Sequence, residues 1–381
     1  MKRAILAVCL MVGATTLATP GPARAAAPPA VSVLSTTCDG FVFANAVGAA
    51  ADARGRLHGF AGYESSSCGK RIYYFEGAGT SWTTRSTSLV GSVVDVAQDT
   101  TGTYLLYVIN ELSGSAELAV ARRAPDGTIT RLAIVAPVSG TAQGQRGSIV
   151  ARGGKWLAVW SQGNGTATDN DLYQFGTLYG SPGTSSPVAI GSGNDMAPAL
   201  TFAPDGAVIL AFTRTQSTGK VVRVARTTNG GTWSWRTAGS SLPIDPYFAS
   251  LDLAVTSAGT FVSWTERVDG ISQMVVADDL TGSWRRQRPP AVYDSANWDG
   301  SIVASGAKVL AGYSSGDEYP NDTVNFAKRT TATGAWTEVP ADPAPGSIDS
   351  KGVAGVFLFG SAATALVASG DRLYAINGLT L

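Results

Sequence analysis

Glu266 and Asp299 are the two carboxylates of this chain best placed to do covalent chemistry. Glu266 follows Trp264-Thr265 at the end of a β-rich run, and Asp299 stands beside Trp298 in a polar stretch. A pair of carboxyl groups can cleave a glycosidic bond, one as acid and the other as base or nucleophile, and their separation decides whether they do. Arg146, Asp195, Tyr247, Trp298 and Lys351 fall between the fourth β-rich run of one repeat and the first of the next, and Arg214 falls between a second and a third run. Aromatic faces stack on sugar rings, and charged groups make charge-assisted hydrogen bonds to hydroxyls. The set therefore reads as a ligand-binding surface for a saccharide, and the plainer alternative is a rim of solvated loop residues.

Other chemistries find little support. His58 is the only histidine, and Leu57-His58 opens a β-rich run, where it reads as ordinary strand content. One histidine and three cysteines do not assemble a zinc site of usual composition, so no metal ligand is assigned. Thr168-Asp169-Asn170-Asp171 offers oxygen ligands that could hold calcium, although a polar loop explains it as well. The chain shows no serine nucleophile elbow and no phosphate-binding glycine loop in a suitable context.

These residues need elements to position them, and the elements are repeats. Gly55, Gly102, Gly154, Gly206, Gly259, Gly306 and Gly360 follow one another at spacings of 47, 52, 52, 53, 47 and 54 residues. Each glycine lies between two β-rich runs. A polar loop, a third run and a fourth run follow, the fourth often marked by Trp, as at Trp82, Trp233, Trp284 and Trp336. Four short strands per unit at a period near 50 residues is the signature of a propeller blade. The expected fold is all-β, a seven-bladed β-propeller of four-stranded antiparallel blades, with six blades and an irregular tail as the alternative. The seventh unit stops before its fourth strand, and Val31 to Leu34 is a spare β-branched run at the other end. If that N-terminal run supplies the outer strand of the last blade, the ring closes and its edges are protected.

The N-terminus reads as an export signal. Lys2 and Arg3 precede an apolar run from Ala4 to Ala18, too short to span a bilayer, and Ala23-Arg24-Ala25 fits a signal-peptidase site. Residues 1–25 are thus expected to be a signal peptide and residues 26–381 a single propeller domain, secreted and monomeric. Without Lys2, Arg3 and Arg24 the chain carries 25 basic and 28 acidic residues, a net charge of −3. That balance gives no footprint for nucleic acid or an anionic membrane. Cys38 and Cys68 remain after export, and an isolated pair in an oxidising compartment most simply forms one disulfide. Both fall in loops on one face of the expected propeller, so the bond would pin the closure and stabilise by roughly 3–4 kcal/mol.

One stretch carries a family resemblance. Arg226-Thr227-Thr228-Asn229-Gly230-Gly231-Thr232-Trp233 resembles the Asp-box of sialidase-like propellers, Ser-x-Asp-x-Gly-x-Thr-Trp, with Asn in place of Asp and a turn one residue shorter. Thr80-Ser81-Trp82, Gly282-Ser283-Trp284 and Gly334-Ala335-Trp336 are similar at weaker strength. The resemblance implies a propeller whose box turns are structural and lie away from the ligand face. Sialidases also carry three arginines around the sugar carboxylate, a Tyr–Glu nucleophile pair and an Asp acid/base. The first of those arginines sits in an Arg-Ile-Pro-like motif at the start of the propeller. Here no Arg occurs between Val31 and Ala53, and that departure counts against sialidase activity. The expectation is a secreted, non-catalytic glycan-binding propeller. The alternative is a glycan-cleaving hydrolase or lyase with a divergent site, and a protein-binding scaffold is a third reading.

Overall fold

In the computed structural model the described residues are 30–35, 40–65, 69–109, 116–137, 147–163, 170–180, 186–188, 194–217, 219–244, 251–290, 296–316, 323–341 and 351–381. They form seven four-stranded antiparallel sheets. The chain begins with β1 (Ala30–Ser35). Blade 1 holds β2 (Gly40–Ala51), β3 (Leu57–Ser65), β4 (Gly69–Ala78) and β5 (Ser81–Ser86), and blade 2 holds β6 (Ser92–Asp99), β7 (Gly102–Ile109), β8 (Glu117–Arg123) and β9 (Ile129–Pro137). Blade 3 consists of β10 (Gly147–Arg152), β11 (Lys155–Gly163), β12 (Asn170–Gly176) and β13 (Ser186–Pro187). Blade 4 consists of β14 (Asn194–Phe202), β15 (Val208–Gln216), β16 (Gly219–Thr227) and β17 (Ser234–Leu242). Then come β18 (Asp252–Val255), β19 (Thr260–Val268), β20 (Ile271–Asp278) and β21 (Arg285–Gln287) of blade 5. Blade 6 has β22 (Ala296–Ser305), β23 (Lys308–Gly316), β24 (Thr323–Arg329) and β25 (Thr337–Glu338). Blade 7 ends the chain with β26 (Lys351–Phe359), β27 (Ala362–Ser369) and β28 (Arg372–Thr380).

Its fourth strand is β1, which pairs antiparallel with β28 from Ala30 opposite Ile376 to Ser35 opposite Arg372. The N-terminal run therefore closes the last blade, and the six-bladed alternative is excluded by the seventh sheet. Cross-links to blade 1 reinforce the seam. Thr84 Oγ1 donates to Val33 O at 2.6 Å, and Val42 N donates to Gly370 O at 2.9 Å. Cys38 and Cys68 lie outside the described residues.

The repeat follows from turn chemistry and burial together. All seven repeat glycines have positive φ, between 57° and 158°. In that range an L side chain strains the backbone, so glycine is required where the first strand reverses into the second. The second strands are almost entirely buried, as in β7, where every residue from Gly102 to Ile109 is buried. A strand covered on both faces reads as a continuous apolar run without alternation. Seven apolar clusters result, one at each junction between neighbouring blades. Phe60, Ile72 and Tyr74 of blade 1 pack on Leu105 and Tyr107 of blade 2, for example, and Val33 and Leu34 pack with Leu366 and Leu373 against Leu57 and Phe75. The core of this molecule is therefore a ring of inter-blade layers around an open axis.

Candidate functional site

The innermost strands of all seven blades line an axial cavity of about 740 Å³. Its wall is organised by two equivalent carboxylates. Asp95 on β6 accepts bonds from Ser148 Oγ (2.6 Å) and Ile149 N (2.8 Å) of blade 3, and Ser148 Oγ accepts from Leu200 N (3.0 Å) of blade 4. Asp252 on β18 accepts from Ser301 Oγ (2.7 Å) and Ile302 N (2.8 Å) of blade 6, and Ser301 Oγ accepts from Val356 N (3.0 Å) of blade 7. Each Asp–Ser pair thus stitches three consecutive blades, and the motif repeats every three blades. Asp95-Val96 with Ser148-Ile149 and Asp252-Leu253 with Ser301-Ile302 carry the sequence signal for it.

Burial pushes the Asp95 carboxyl up to about 6, against the hydrogen bonds it accepts and with help from the negative charge of Asp252. The folded value lies above the unfolded one, so the folded chain binds the extra proton between roughly pH 6 and 4, and stability rises as pH falls through that window. A carboxyl raised from its ordinary value to about 6 costs about 3 kcal/mol in the ionised state, of which about 1 kcal/mol should be regained between pH 7 and pH 5. Asp52 acts with the opposite sign. Burial raises its pKa, but bonds from Arg56 N–H, His58 and Arg54 N–H overcome that and hold the carboxyl below its usual 3.8. Its contribution is lost only in more acid solution. Denaturant titrations of the native chain and Asp95→Asn at pH 7 and pH 5 test this: the gain at pH 5 should shrink in the variant, and an equal gain in both would contradict it.

The sequence reading places Asp195 and Arg214 in loops of the ligand face and Glu266 at the end of its β-rich run. The structure carries them inside strands that run further than expected, because short hairpins such as Asp269-Gly270 end them late. Asp195 is 1% exposed, Arg214 6% and Glu266 3%. Arg214 grips Asp195 through both oxygens, Nε to Oδ1 and Nη2 to Oδ2, each at 2.5 Å. Burial raises the Asp195 carboxyl in spite of that guanidinium. Burial and the like charge of Arg214 lower the pKa of neighbouring Arg223, whose guanidinium stacks on Trp235 at 3.9 Å from the ring centroid.

Glu266 lies at the junction of blades 4 and 5. Its Oε1 accepts from Trp264 Nε1 (2.9 Å) and Arg286 Nη1 (2.9 Å), and its Oε2 lies 3.2 Å from Arg288 Nη2. The blade 4 chain is locked beside it, since Ile244 bridges Glu266 and Arg267 N donates to Pro243 O at 2.6 Å. Arg286 and Arg288 were not singled out from the sequence. The signal was the run Trp284-Arg285-Arg286-Gln287-Arg288, three arginines in five residues, which the strand pattern made look like an ordinary outer edge.

Trp298 and Asp299 fall on β22, at the register shift between Trp298 and Ser301, and Lys351 opens β26 opposite Ser369. All three stand at the starts of innermost strands. Their side chains lie outside the described residues, as do Arg146 and Tyr247 entirely, so the structure brings together only the Asp195–Arg214 pair of the expected set. Asn170 and Asp171 open β12, paired with Gly163 and Gln162 of blade 3, while Asp169 of the same polar run is outside the described residues. Among the described residues no group of three or more His, Cys, Asp and Glu is arranged to hold a metal ion.

His58 belongs to a network on the opposite face. Its Nδ1 is 2.7 Å from Tyr74 Oη and its Nε2 3.1 Å from Asp52 Oδ2, while Tyr74 donates to Glu76 at 2.8 Å. Tyr74 is 1% exposed, and Arg123 of blade 2 covers its ring at 3.8 Å. A tyrosine buried so deeply cannot reach a substrate, and the cluster ties blade 1 to blade 2. The blade 4 turn is equally local. Asn229 Oδ1 accepts from Gly231 N and Thr232 N, both at 3.0 Å, and Trp233 is buried between blades 3 and 4.

No family model matches the chain, and no curated protein matches it. Solved structures do. An ulvan lyase of a polysaccharide lyase family is 11% identical over 91% of this chain and 96% of its own, with a TM-score of 0.63. The α-L-arabinanase of Penicillium chrysogenum, complexed with arabinobiose, is 11% identical over 93% of this chain and 100% of its own, with a TM-score of 0.54. The α-L-arabinofuranosidase of Fusarium graminearum is 9% identical over 81% of this chain and 99% of its own, with a TM-score of 0.53. Likeness at such identity establishes the fold: this chain is a seven-bladed β-propeller.

Proposed function

We propose that this protein is a secreted, sialidase-like β-propeller that binds glycan without cleaving it. The observation that carries the reading is the state of two described carboxylates, Asp195 and Glu266; Glu266 is one of the expected catalytic pair, and the side chain of the other, Asp299, lies outside the described residues. A glycosidase needs two carboxyl groups facing each other across a bond, one of them free to give up a proton. Asp195 and Glu266 are instead buried, and each meets guanidinium groups on both oxygens. Such carboxylates hold arginines in place. Export is supported by the basic, apolar and small-residue order of residues 1–25. The sialidase-like kinship is supported by the Asn229 turn and its buried Trp233. A saccharide ligand is supported by the fold's company, since the arabinanase was solved with arabinobiose and the ulvan lyase with -[GlcA(1-4)Rha3S]-.

A glycan array with the purified protein, run beside assays for new reducing ends and unsaturated products on the same polysaccharides, tests the reading. Binding without new ends is expected. New ends or unsaturated products would replace it with the cleaving alternative.

A further inference from the structure

We propose that Arg286 and Arg288 form a subsite for the anionic groups of an acidic polysaccharide, a sulfate ester or a uronate carboxylate. The inference rests on the glycan-binding reading and narrows it to a ligand class. Its basis is a contrast within the molecule. Asp195 is hydrogen-bonded by one arginine, Arg214, with Arg223 near it but not bonded to it, and the paired side chains are 1% and 7% exposed. Glu266 is as deeply buried at 3%, yet it meets two arginines, whose side chains are 46% and 47% exposed. One guanidinium suffices to neutralise one carboxylate, as Arg214 does. The second positive charge at Glu266 is surplus to that structural need.

The pair is also built to receive an anion. A guanidinium carries five N–H groups in a rigid plane that matches the oxygens of a carboxylate or a sulfate. Arg286 and Arg288 each make one bond to Glu266 and turn about half their surface to solvent. Glu266 is itself fixed by Trp264 and by the blade 4 chain at Pro243 and Ile244. The donors are therefore held in place before any ligand arrives, which lowers the ordering cost of binding.

Neighbouring charge points the same way. Arg285 has Nε and Nη2 without partners among the described residues, and Arg267 is exposed one residue after Glu266. The nearby carboxylate of Asp278 is taken by Arg329, and Asp279 faces Arg236 at 3.9 Å. A local positive surplus thus stands on a chain whose sequence after residue 25 is net negative. The two arginines come from the outer edge of blade 5, next to blade 4, and not from the axial wall.

The test measures affinity for three defined polymers: dextran sulfate, polygalacturonate and uncharged dextran. Arg288→Gln is the primary variant, because Arg286 stays on Glu266 and the buried carboxylate keeps a partner. Arg288→Lys keeps the charge and loses the planar fork. A melting curve for each variant confirms that it folds. For the sulfate or the uronate polymer, Arg288→Gln should weaken binding about tenfold or more, flatten its salt dependence, and leave any dextran binding unchanged. Which polymer responds identifies the anion. Equal affinity of native and Arg288→Gln protein for both charged polymers overturns the subsite. Binding of dextran alone also overturns it while leaving the glycan reading intact, and failure to bind any polymer here or on the array removes both.

Discussion

Asp278→Ala is expected to destabilise the protein by about 3–5 kcal/mol, the cost of leaving a buried charge without its partner. Asp278 at the end of β20 and Arg329 at the end of β24 are both 0% exposed, and they meet at 2.7 Å between blades 5 and 6. Arg329 also donates to Gln287 Oε1 and lies against the Trp336 ring. Its Nε has no partner among the described residues, so once the carboxylate is gone the buried guanidinium keeps only neutral contacts, with Gln287 and Trp336. The pair as a whole need contribute little, because taking two charges out of water offsets most of their attraction. Asp278→Leu combined with Arg329→Met should therefore recover most of the loss. Urea denaturation of the single and double variants reads both effects. A single variant within 1 kcal/mol of the native chain would show that solvent reaches this junction.

The second large effect concerns ring closure. A chain that begins after β1 should lose about 5 kcal/mol or more, comparable to the whole net stability of an ordinary domain. Leu34 is 1% exposed and Val33 5%, and burying each is worth roughly 1.5–3 kcal/mol. Their loss comes together with the antiparallel ladder to β28. The bare edge of β28 would then be a template for pairing with other chains, so the truncated protein should aggregate at temperatures where the full one is soluble. A synthetic peptide spanning residues 28–37 should restore part of the melting temperature. If truncation left the melting temperature unchanged, the seam would be held by contacts other than β1.

Much of the fold was legible because its signals are local and repeated. A glycine at each first reversal and an apolar run after it recur seven times, and each copy confirms the others. Even the closure could be read, since the seventh unit lacked a strand that the N-terminus could supply. The site was less legible. Asp195, Arg214 and Glu266 stand out in the sequence as candidates for a ligand face, but their places as buried ion-pair members are not legible there, because hairpin length decides whether such a residue ends a strand or enters a loop. Arg286 and Arg288 were overlooked, since arginines on an outer edge strand carry no pattern that separates a clamp from a solvated side chain. The Asp95–Ser148 and Asp252–Ser301 links join residues about 50 apart, and only the packing of innermost strands from neighbouring blades shows that they meet.

The choice of seven blades over six came from the structure. The sequence by itself determined the class of fold, the strand order within each blade and a spare N-terminal run able to close the ring. These depend on turn glycines and burial periods, which act over a few residues. The tertiary structure decided which charges face each other. It closed Asp195 with one arginine, gave Glu266 two, and buried Asp278 with Arg329, because each of those meetings occurs across a blade junction or between strands brought side by side. Ionic partners are chosen by distances of a few ångströms between distant parts of the chain, and Coulomb energy in a low-dielectric interior depends steeply on that distance and on burial. Sequence spacing carries neither quantity.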